Sequence, residues 1–594
     1  MSKFVMIEHS LRSVGGHYFE YARGISEAAQ ALGFEPVVAV GRELEDTSCF
    51  PKHWRVHPVF ERQRSAWYQA PRYPLRRLSR SLRGAATATG KLGAAGRVLA
   101  EEAKARHDQL RTWRGRHAAI EAYAEGCREL FQRENLAPGD VVFCSTCEDL
   151  NLLGLARFLD ESPEAREAIW HLQFHFRVFT GRDPDYPEQE QHTRELRRRI
   201  RNITASPRTR FHFYATTEEL ARQYTAVIGA QVTPLAWPVA EGFTPHGSAT
   251  TRRPLRLLIP GALRREKGKR LVTPLLQKLD RAPELRDAVQ LLVQTTPKKG
   301  RKLLKDVADD VTYIDHLDLE NLPSSRVVGL PHPLGSQDYS KLMRGVDIGL
   351  LPYDPDEYFG RASGPLCELL ATGTPAIVPG GSWLSNQLES AEQAYCAELS
   401  TLAPQRLWQI ENLRSQGERW QLDLPEHPGG KSDLLVAVKT RGLNGTGHYL
   451  RARLVQLGVN RDPLAAQHTV LGVCDGSWVR FVVPLHPGVR SLQLRFHQAF
   501  KGIPVRMEAI TLGLLPGTEN HRPQGKLGRI VDSEGDLPQH ILFALSDMVS
   551  NYDHYRAAAL AFSPRWRAQH CAARTVELLA QRSAVVATGV ANSR

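Results

Sequence analysis

Hydrophobic and polar positions fall into a repeating unit from the start of the chain. The run "KFVMIE" is an apolar strand, and from His17 onward Tyr18, Ala22, Ile25, Ala29 and Leu32 recur at helical spacing on one face. Gly33 is placed to end that helix, and "EPVVAV" is the next apolar strand. The unit returns in "DVVFCST" followed by "LNLLGLARFL", in "AIWHLQFHF", and in "FHFYATT" followed by "EELARQYTAVIG". Apolar runs alternating with amphipathic helices predict a parallel sheet covered on both faces.

The stretch "LAWPVAEGFTPHGSATTRRP", rich in proline and small polar residues, predicts a linker that closes a first domain over residues 1–245. A second α/β series follows, through "LRLLIPG", "VQLLVQTT", "VTYIDH", "IGLLPYD" and "TPAIVP". From about Arg406 the period changes. In "SLQLRF", Leu492, Leu494 and Phe496 alternate with Gln493 and Arg495, the period of a half-buried strand. About six such runs, divided by Gly, Pro, Asn and Asp, predict a β-sandwich over residues 406–524. Helical texture returns afterwards. The β module is therefore expected as an insertion in a C-terminal domain made of residues 250–405 and 525–594.

Length and charge add to this picture. A chain of 594 residues is expected to form about two to four domains. The net charge of +13 favours anionic partners without choosing among them. Much of it sits in a basic helical region, residues 62–133, where Leu75, Leu78 and Leu82 run beside Arg76, Arg77, Arg80 and Arg83. The plain reading of that region is a solvated helix face; the functional one is peripheral contact with an anionic membrane or acceptor. "TRELRRRIRN" carries the same two readings. Nucleic acid is not expected, because no recognised binding module accompanies the charge. Cys144 and Cys147 lie close together, but without a second CxxC they read as structural thiols in a reducing compartment. With no signal peptide and no apolar run of about 18 residues, the expected location is cytoplasmic, with or without peripheral attachment to the inner face of the membrane.

Four stretches follow apolar strands, where open α/β sheets bind ligands. In "SVGGHY", Gly15 and Gly16 let backbone N–H groups approach an anion or sugar, although a tight turn explains them equally well. In "IPGALRREKGKR", Arg264, Arg265, Lys267, Lys269 and Arg270 crowd directly after a buried strand, which suits neutralisation of a diphosphate leaving group better than an ordinary basic turn. After "IGLLPYD", the chain passes Arg361 to Ser363 and Gly364, which open a helix whose N-terminal N–H groups suit phosphate oxygens. Glu368, a turn inside that helix, can accept two ribose hydroxyls or simply complement the helix dipole. In "AIWHLQFHFR", His171, Gln173 and His175 share a strand face, and His175 nears the strand end as a sugar- or acceptor-contacting group or a core histidine. No metal-ligating pattern, P-loop or acyl-transfer motif is found, so no cofactor or metal is expected.

Together these residues resemble the retaining glycosyltransferases of the GT-B fold, in particular family 4-like enzymes. The resemblance rests on "SVGGHY", "GALRREKGK" and above all "GVDIGLLPYDPDEYFGRASGPLCELLATGTPAIVP". It implies two Rossmann-like domains facing a cleft, a nucleotide-sugar donor, and a glycan or lipid-linked acceptor. It also implies that Lys267 binds the donor diphosphate, Glu368 holds the nucleotide ribose, Gly364 and its neighbours face phosphate, Gly16 lies in the N-terminal glycine-rich loop, and His175 sits near the transferred sugar. His175, Lys267 and Arg264 are then the catalytic candidates. Gly15, Gly16, Arg265, Arg361, Ser363, Gly364 and Glu368 are the donor-binding ones. Two positions depart from the family pattern: Ala262 stands where arginine is common, with Arg264 or Arg265 available to compensate, and Gly360 replaces the first glutamate of E-x7-E. The expected function is metal-independent sugar transfer with retention, in polysaccharide or glycoconjugate biosynthesis. The alternatives are a non-catalytic sugar-nucleotide or glycan-binding scaffold and a sugar-nucleotide epimerase.

Overall fold

The computed structural model describes the chain outside residues 1, 13, 15–16, 45, 62–116, 138, 180–196, 199–200, 202–209, 246–253, 296–309, 402–405, 412–418, 425–432, 442–448, 473–477, 499–505, 516–525, 534 and 592–594. Gly15, Gly16 and most of the basic helical region therefore lie outside the described residues. The chain divides into two units, Met1–Pro238 with Ala572–Arg594, and Val239–Cys571.

The first unit is built on strands β1 (Lys3–Glu8), β2 (Glu35–Gly41), β3 (Arg55–Phe60), β4 (Val141–Cys147), β5 (Ile169–Phe174), β6 (Arg210–Ala215) and β7 (Val232–Pro234). Their order is β3-β2-β1-β4-β5-β6-β7, and neighbouring strands pair parallel. Parallel strands are covered on both faces, which is why β1, β2 and β4 are nearly continuous apolar runs. The helix His17–Ala31 buries Ala22, Ile25 and Ala29 against Met6, Val38 and Phe143, as its spacing predicts. Leu32 differs, being 45% exposed. The helix has ended, and Gly33 turns the chain away through a left-handed φ of 87°.

The last helix, Ala572–Ala591, corrects the expected domain assignment. Periodicity placed it with the C-terminal domain, but Val576 and Leu579 are buried in the core of the first unit. Ser583 Oγ lies 2.9 Å from His171 Nε2 in the same unit. The first unit thus ends at Pro238 and is completed by the chain's C-terminal helix.

The second unit contains β8 (Leu255–Ile259), β9 (Val289–Gln294), β10 (Val311–Tyr313), β11 (Val327–Leu330), β12 (Ile348–Leu350) and β13 (Ala376–Pro379). After them come the inserted strands β14 (Arg406–Glu411), β15 (Arg419–Asp423), β16 (Asp433–Arg441), β17 (Tyr449–Leu457), β18 (Pro463–Gly472), β19 (Trp478–Pro484), β20 (Ser491–Gln498) and β21 (Arg506–Leu515). Strand β22 (Gly528–Val531) returns to the parallel sheet, whose order is β10-β11-β9-β8-β12-β13-β22. Consecutive neighbours pair parallel throughout. The chain leaves β8 toward β9 on one side and later returns to β12 on the other, so the strand order switches between β8 and β12. Ligands of open α/β sheets bind at the carboxyl ends of such a pair.

The inserted strands form two antiparallel sheets, β14-β21-β16-β19 and β15-β20-β17-β18. Leu434, Val436, Phe481 and Leu512 of one sheet pack with Ala452, Leu454, Leu492 and Leu494 of the other, a sandwich core made from period-two positions. The expected fold class is therefore present: α/β, with two Rossmann-like domains and a β-sandwich inserted in the second.

Candidate functional site

The site is assembled where β8 and β12 end. Beyond β8, Gly261 takes a φ of 76°, and its N–H donates to Gln294 Oε1 at 2.6 Å, which ties the turn to β9. A Cβ on Gly261 would lie 3.5 Å from Lys267 Nζ, so the ammonium rests over a bare backbone. The 3-10 turn Arg265–Lys267 ends at Gly268, whose φ is 78°. A Cβ on Gly268 would lie 2.4 Å from the Pro352 carbonyl oxygen, and only glycine permits that approach. The Asp354 N–H donates to the Glu266 carbonyl at 2.9 Å. The loops after β8 and β12 are thus fastened to each other by backbone.

Within this frame Lys267 Nζ sits 5.3 Å from the Tyr353 ring centroid. The Tyr353 and Tyr358 rings are 4.6 Å apart, and Arg361 lies over the Tyr358 ring at 5.2 Å. Burial, followed by the positive charges of Arg361 and Arg264, lowers the Lys267 pKa to about 8. The positive charges of Arg361 and Arg264 disfavour the Lys267 ammonium, and an anion beside it offsets that effect. Arg264 is well exposed and approaches Glu266 at 4.0 Å. Arg265 is exposed and enters none of the contacts around Lys267 among the described residues.

Ser363 caps the helix Gly364–Ala371, its hydroxyl accepting the Leu366 N–H at 3.3 Å. Pro365 has no N–H. The first turn therefore offers the Gly364 N–H, a smaller anion-binding end than the sequence suggested. Glu368 is buried, and its Oε2 accepts a 2.6 Å hydrogen bond from the Tyr339 hydroxyl. Burial, then the Glu368 carboxylate, raises the Tyr339 pKa well above its ordinary value, so the phenol remains a donor. Tyr339 was not singled out in the sequence. It lies in the helix Ser336–Arg344, 29 positions before Glu368, and no local motif links the two. Gly360 is buried, as are Tyr353 and Tyr358.

The first unit has its own switch point, between β1 and β4. Glu8 there is fully buried, accepting the Ser145 and Thr146 hydroxyls, each at 2.5 Å, and the Ser10 N–H at 3.1 Å. Burial raises its pKa to about 7 against the lowering effect of those three donors. None of these residues stood out in the sequence, since Glu8 ends an ordinary apolar strand. Of the strand-face residues that did, His171 is committed to the core, with Tyr214 and Ser583 at its two ring nitrogens. Gln173 is held by Tyr21 and the Leu235 carbonyl. His175, just past β5, is buried and packs edge-on to Trp237 at 4.7 Å, and Tyr21 stacks on the same indole at 5.1 Å.

No family model matches the chain, and no curated protein matches it. Among solved structures it is similar to the Candida albicans trehalose-6-phosphate phosphatase N-terminal domain, at 12% identity and a TM-score of 0.41, over 66% of this chain and 85% of that one. It is also similar to an α,α-trehalose-phosphate synthase (UDP-forming) from Burkholderia vietnamiensis, at 12% identity and a TM-score of 0.40, over 66% of this chain and 87% of that one. A third is the catalytic domain of starch synthase IV from Arabidopsis thaliana bound to ADP and acarbose, at 12% identity and a TM-score of 0.35, over 64% of this chain and 83% of that one.

Proposed function

We propose that the protein transfers a sugar from a nucleotide-sugar donor to an acceptor hydroxyl with retention of configuration, in the synthesis of a polysaccharide or other glycoconjugate. The observation that carries this reading is the convergence of Lys267, Arg361 and Arg264 at the β8/β12 switch point, beside a helix whose buried Glu368 is fixed by Tyr339. In this reading Lys267 and Arg361 receive the donor diphosphate, the Gly364 N–H adds one hydrogen bond, and Glu368 accepts the two ribose hydroxyls. The bond between the anomeric carbon and the diphosphate oxygen breaks, and the acceptor oxygen bonds to the same face of that carbon. The acceptor proton leaves with the departing phosphate. The cations stabilise the charge growing on the leaving group.

His175 and Arg265 have less support. His175 belongs to the first unit, where it is buried against Trp237, and no proton-transfer role is proposed for it. Arg265 serves as an exposed charge that attracts the donor. The buried Gly360 favours a second reading, a scaffold that binds sugar nucleotide without turnover, because it supplies no carboxylate to the sugar.

A panel of nucleotide sugars, assayed with and without glycan acceptors, tests the proposal. Acceptor-dependent release of nucleoside diphosphate and a product of unchanged anomeric configuration are expected. Tight donor binding with no release would favour the scaffold, and release of an altered sugar without acceptor would favour an epimerase.

A further inference from the structure

The two outer faces of the inserted sandwich differ in kind. On the sheet β14-β21-β16-β19, the outward positions Leu435, Val482 and Leu515 are apolar and pack with Tyr395, Cys396 and Leu399 of the helix Trp383–Leu399. The sheet β15-β20-β17-β18 is mixed on its outer face: Val455 and Leu457 of β17 are apolar and buried there, beside polar positions. Its inward positions Ala452, Leu454, Leu492 and Leu494 fill the core. Between them, Arg453 is exposed and Arg495 and Gln493 are half-buried.

Strand register turns these positions into a row. Arg453 on β17 is paired with Arg495 on β20, and Arg495 is paired in turn with Arg419 on β15. On the other side Arg453 is paired with His468 on β18. Three arginines and a histidine thus occupy one register line across all four strands. The next line pairs Gln421 with Gln493 and continues through the apolar Val455 and Ala466. Like charges directly opposite one another weaken a sheet, so the Arg453–Arg495 pair carries a standing cost. Neither Arg453 nor Arg495 makes an ion pair among the described residues, and Arg495 Nε is shielded from water without a hydrogen-bond partner.

We propose that this face binds an acidic polysaccharide, lying across the strands with its carboxylates or sulfates on the arginine row. Strands lie about 4.8 Å apart, so four of them spread the row over roughly 14 Å, the scale of a few sugar residues rather than one phosphate. The adjoining Gln421–Gln493 line supplies amide donors and acceptors for sugar hydroxyls. Single-stranded nucleic acid is held by a series of aromatic platforms, and among the described strand positions that share the parity of Arg453 on this sheet the one Phe, Tyr or Trp is Tyr449. The inference is independent of the donor site and extends the positive charge of the chain to a specific surface.

The test is affinity electrophoresis of the full chain in gels containing polygalacturonate, with neutral dextran as control. Competition by an oligo-dT strand and by phosphatidylglycerol vesicles completes the set. Wild type is expected to be retarded by polygalacturonate in a salt-sensitive manner and not by dextran. The double substitution Arg453→Gln with Arg495→Gln is expected to weaken retardation at least tenfold at an unchanged or higher melting temperature. Lys439→Ala, which removes a cation from the other sheet, leaves retardation unchanged. Should the double variant fold poorly, the exposed Arg453→Gln alone is expected to show a several-fold loss. Equal retardation of wild type and the arginine variants would overturn the proposal. So would tighter binding of oligo-dT or of vesicles than of polygalacturonate, or a loss in Lys439→Ala as large as that in Arg453→Gln.

Discussion

The Tyr339 hydroxyl donates a 2.6 Å hydrogen bond to Glu368 Oε2, joining two helices that follow different strands of the same sheet. The bond fixes the rotamer of a buried carboxylate at the mouth of the β8/β12 switch point. Glu368 Oε1 lies 3.9 Å from where a Gly364 Cβ would be, so the same carboxylate reaches toward the start of its own helix. Removing the hydroxyl in Tyr339→Phe leaves the ring packed edge-on to Phe243. It costs the carboxylate one charge-assisted hydrogen bond, worth about 1.5 kcal/mol, or roughly tenfold in affinity. Titration calorimetry with the nucleoside diphosphate is expected to show that loss, and the ligand-free protein, which already holds the bond, is expected to melt at a lower temperature.

Lys267 gives the donor site a pH dependence of defined sign. Its pKa in the free protein is about 8, so below that pH the ammonium is present and diphosphate affinity is level. Above it, binding must first restore a proton, and affinity falls by up to about tenfold per pH unit. Lys267→Arg keeps its charge across this range and is expected to flatten the profile, even if its different shape lowers affinity overall. Binding measured from pH 7 to 9.5 checks both slopes.

Glu8 gives the stability of the first unit a pH dependence of the same sign, at lower pH. Its folded pKa, about 7, is above the ordinary carboxyl value of 4.5, so the folded state holds a proton that the unfolded state releases. The stabilisation is complete below pH 4.5, declines as pH rises and levels off beyond about 7, a change on the order of 3 kcal/mol. Glu8→Gln is expected to remove that decline. Urea unfolding at pH 5, 6, 7 and 8 reads the difference, with other carboxylates contributing equally to both proteins.

Glu134 holds the opposite end of that sheet. Its nearly inaccessible carboxylate meets Lys3 at 3.2 Å, Arg55 at 3.3 Å and His57 at 2.7 Å. Glu134→Ala leaves the Lys3 and Arg55 cations facing each other beside a void, takes an acceptor from His57, and is expected to cost about 3 kcal/mol, measured by denaturant unfolding. Donor affinity, which belongs to the other unit, is expected to be unchanged.

Local periodicity carried most of the architecture. Buried parallel strands read as apolar runs and sandwich strands as alternations, and both patterns are confined to neighbouring residues. The positions of Lys267, Arg361, Ser363 and Glu368 were legible for a similar reason, since they lie in the loops and the helix that come after β8 and β12. Pairings across the sheet were not. Gln294 secures Gly261 from 33 positions away, and the Ser145 and Thr146 hydroxyls that secure Glu8 are 137 and 138 positions from it. The final helix was misassigned because an amphipathic stripe gives the period of a helix without naming the sheet it covers. The limited anion-binding end of the helix Gly364–Ala371 depended on whether the Ser363 hydroxyl turns inward as a cap, which composition does not determine.

The central claim is that the β8/β12 switch point binds the donor through Lys267 and Glu368. It is tested most directly by measuring the dissociation constant of the nucleotide sugar that the wild type turns over, in wild type, Lys267→Ala and Glu368→Ala. A loss of at least tenfold is expected in each variant, with the first unit's stability unchanged. Wild-type affinity retained in both folded variants would contradict it.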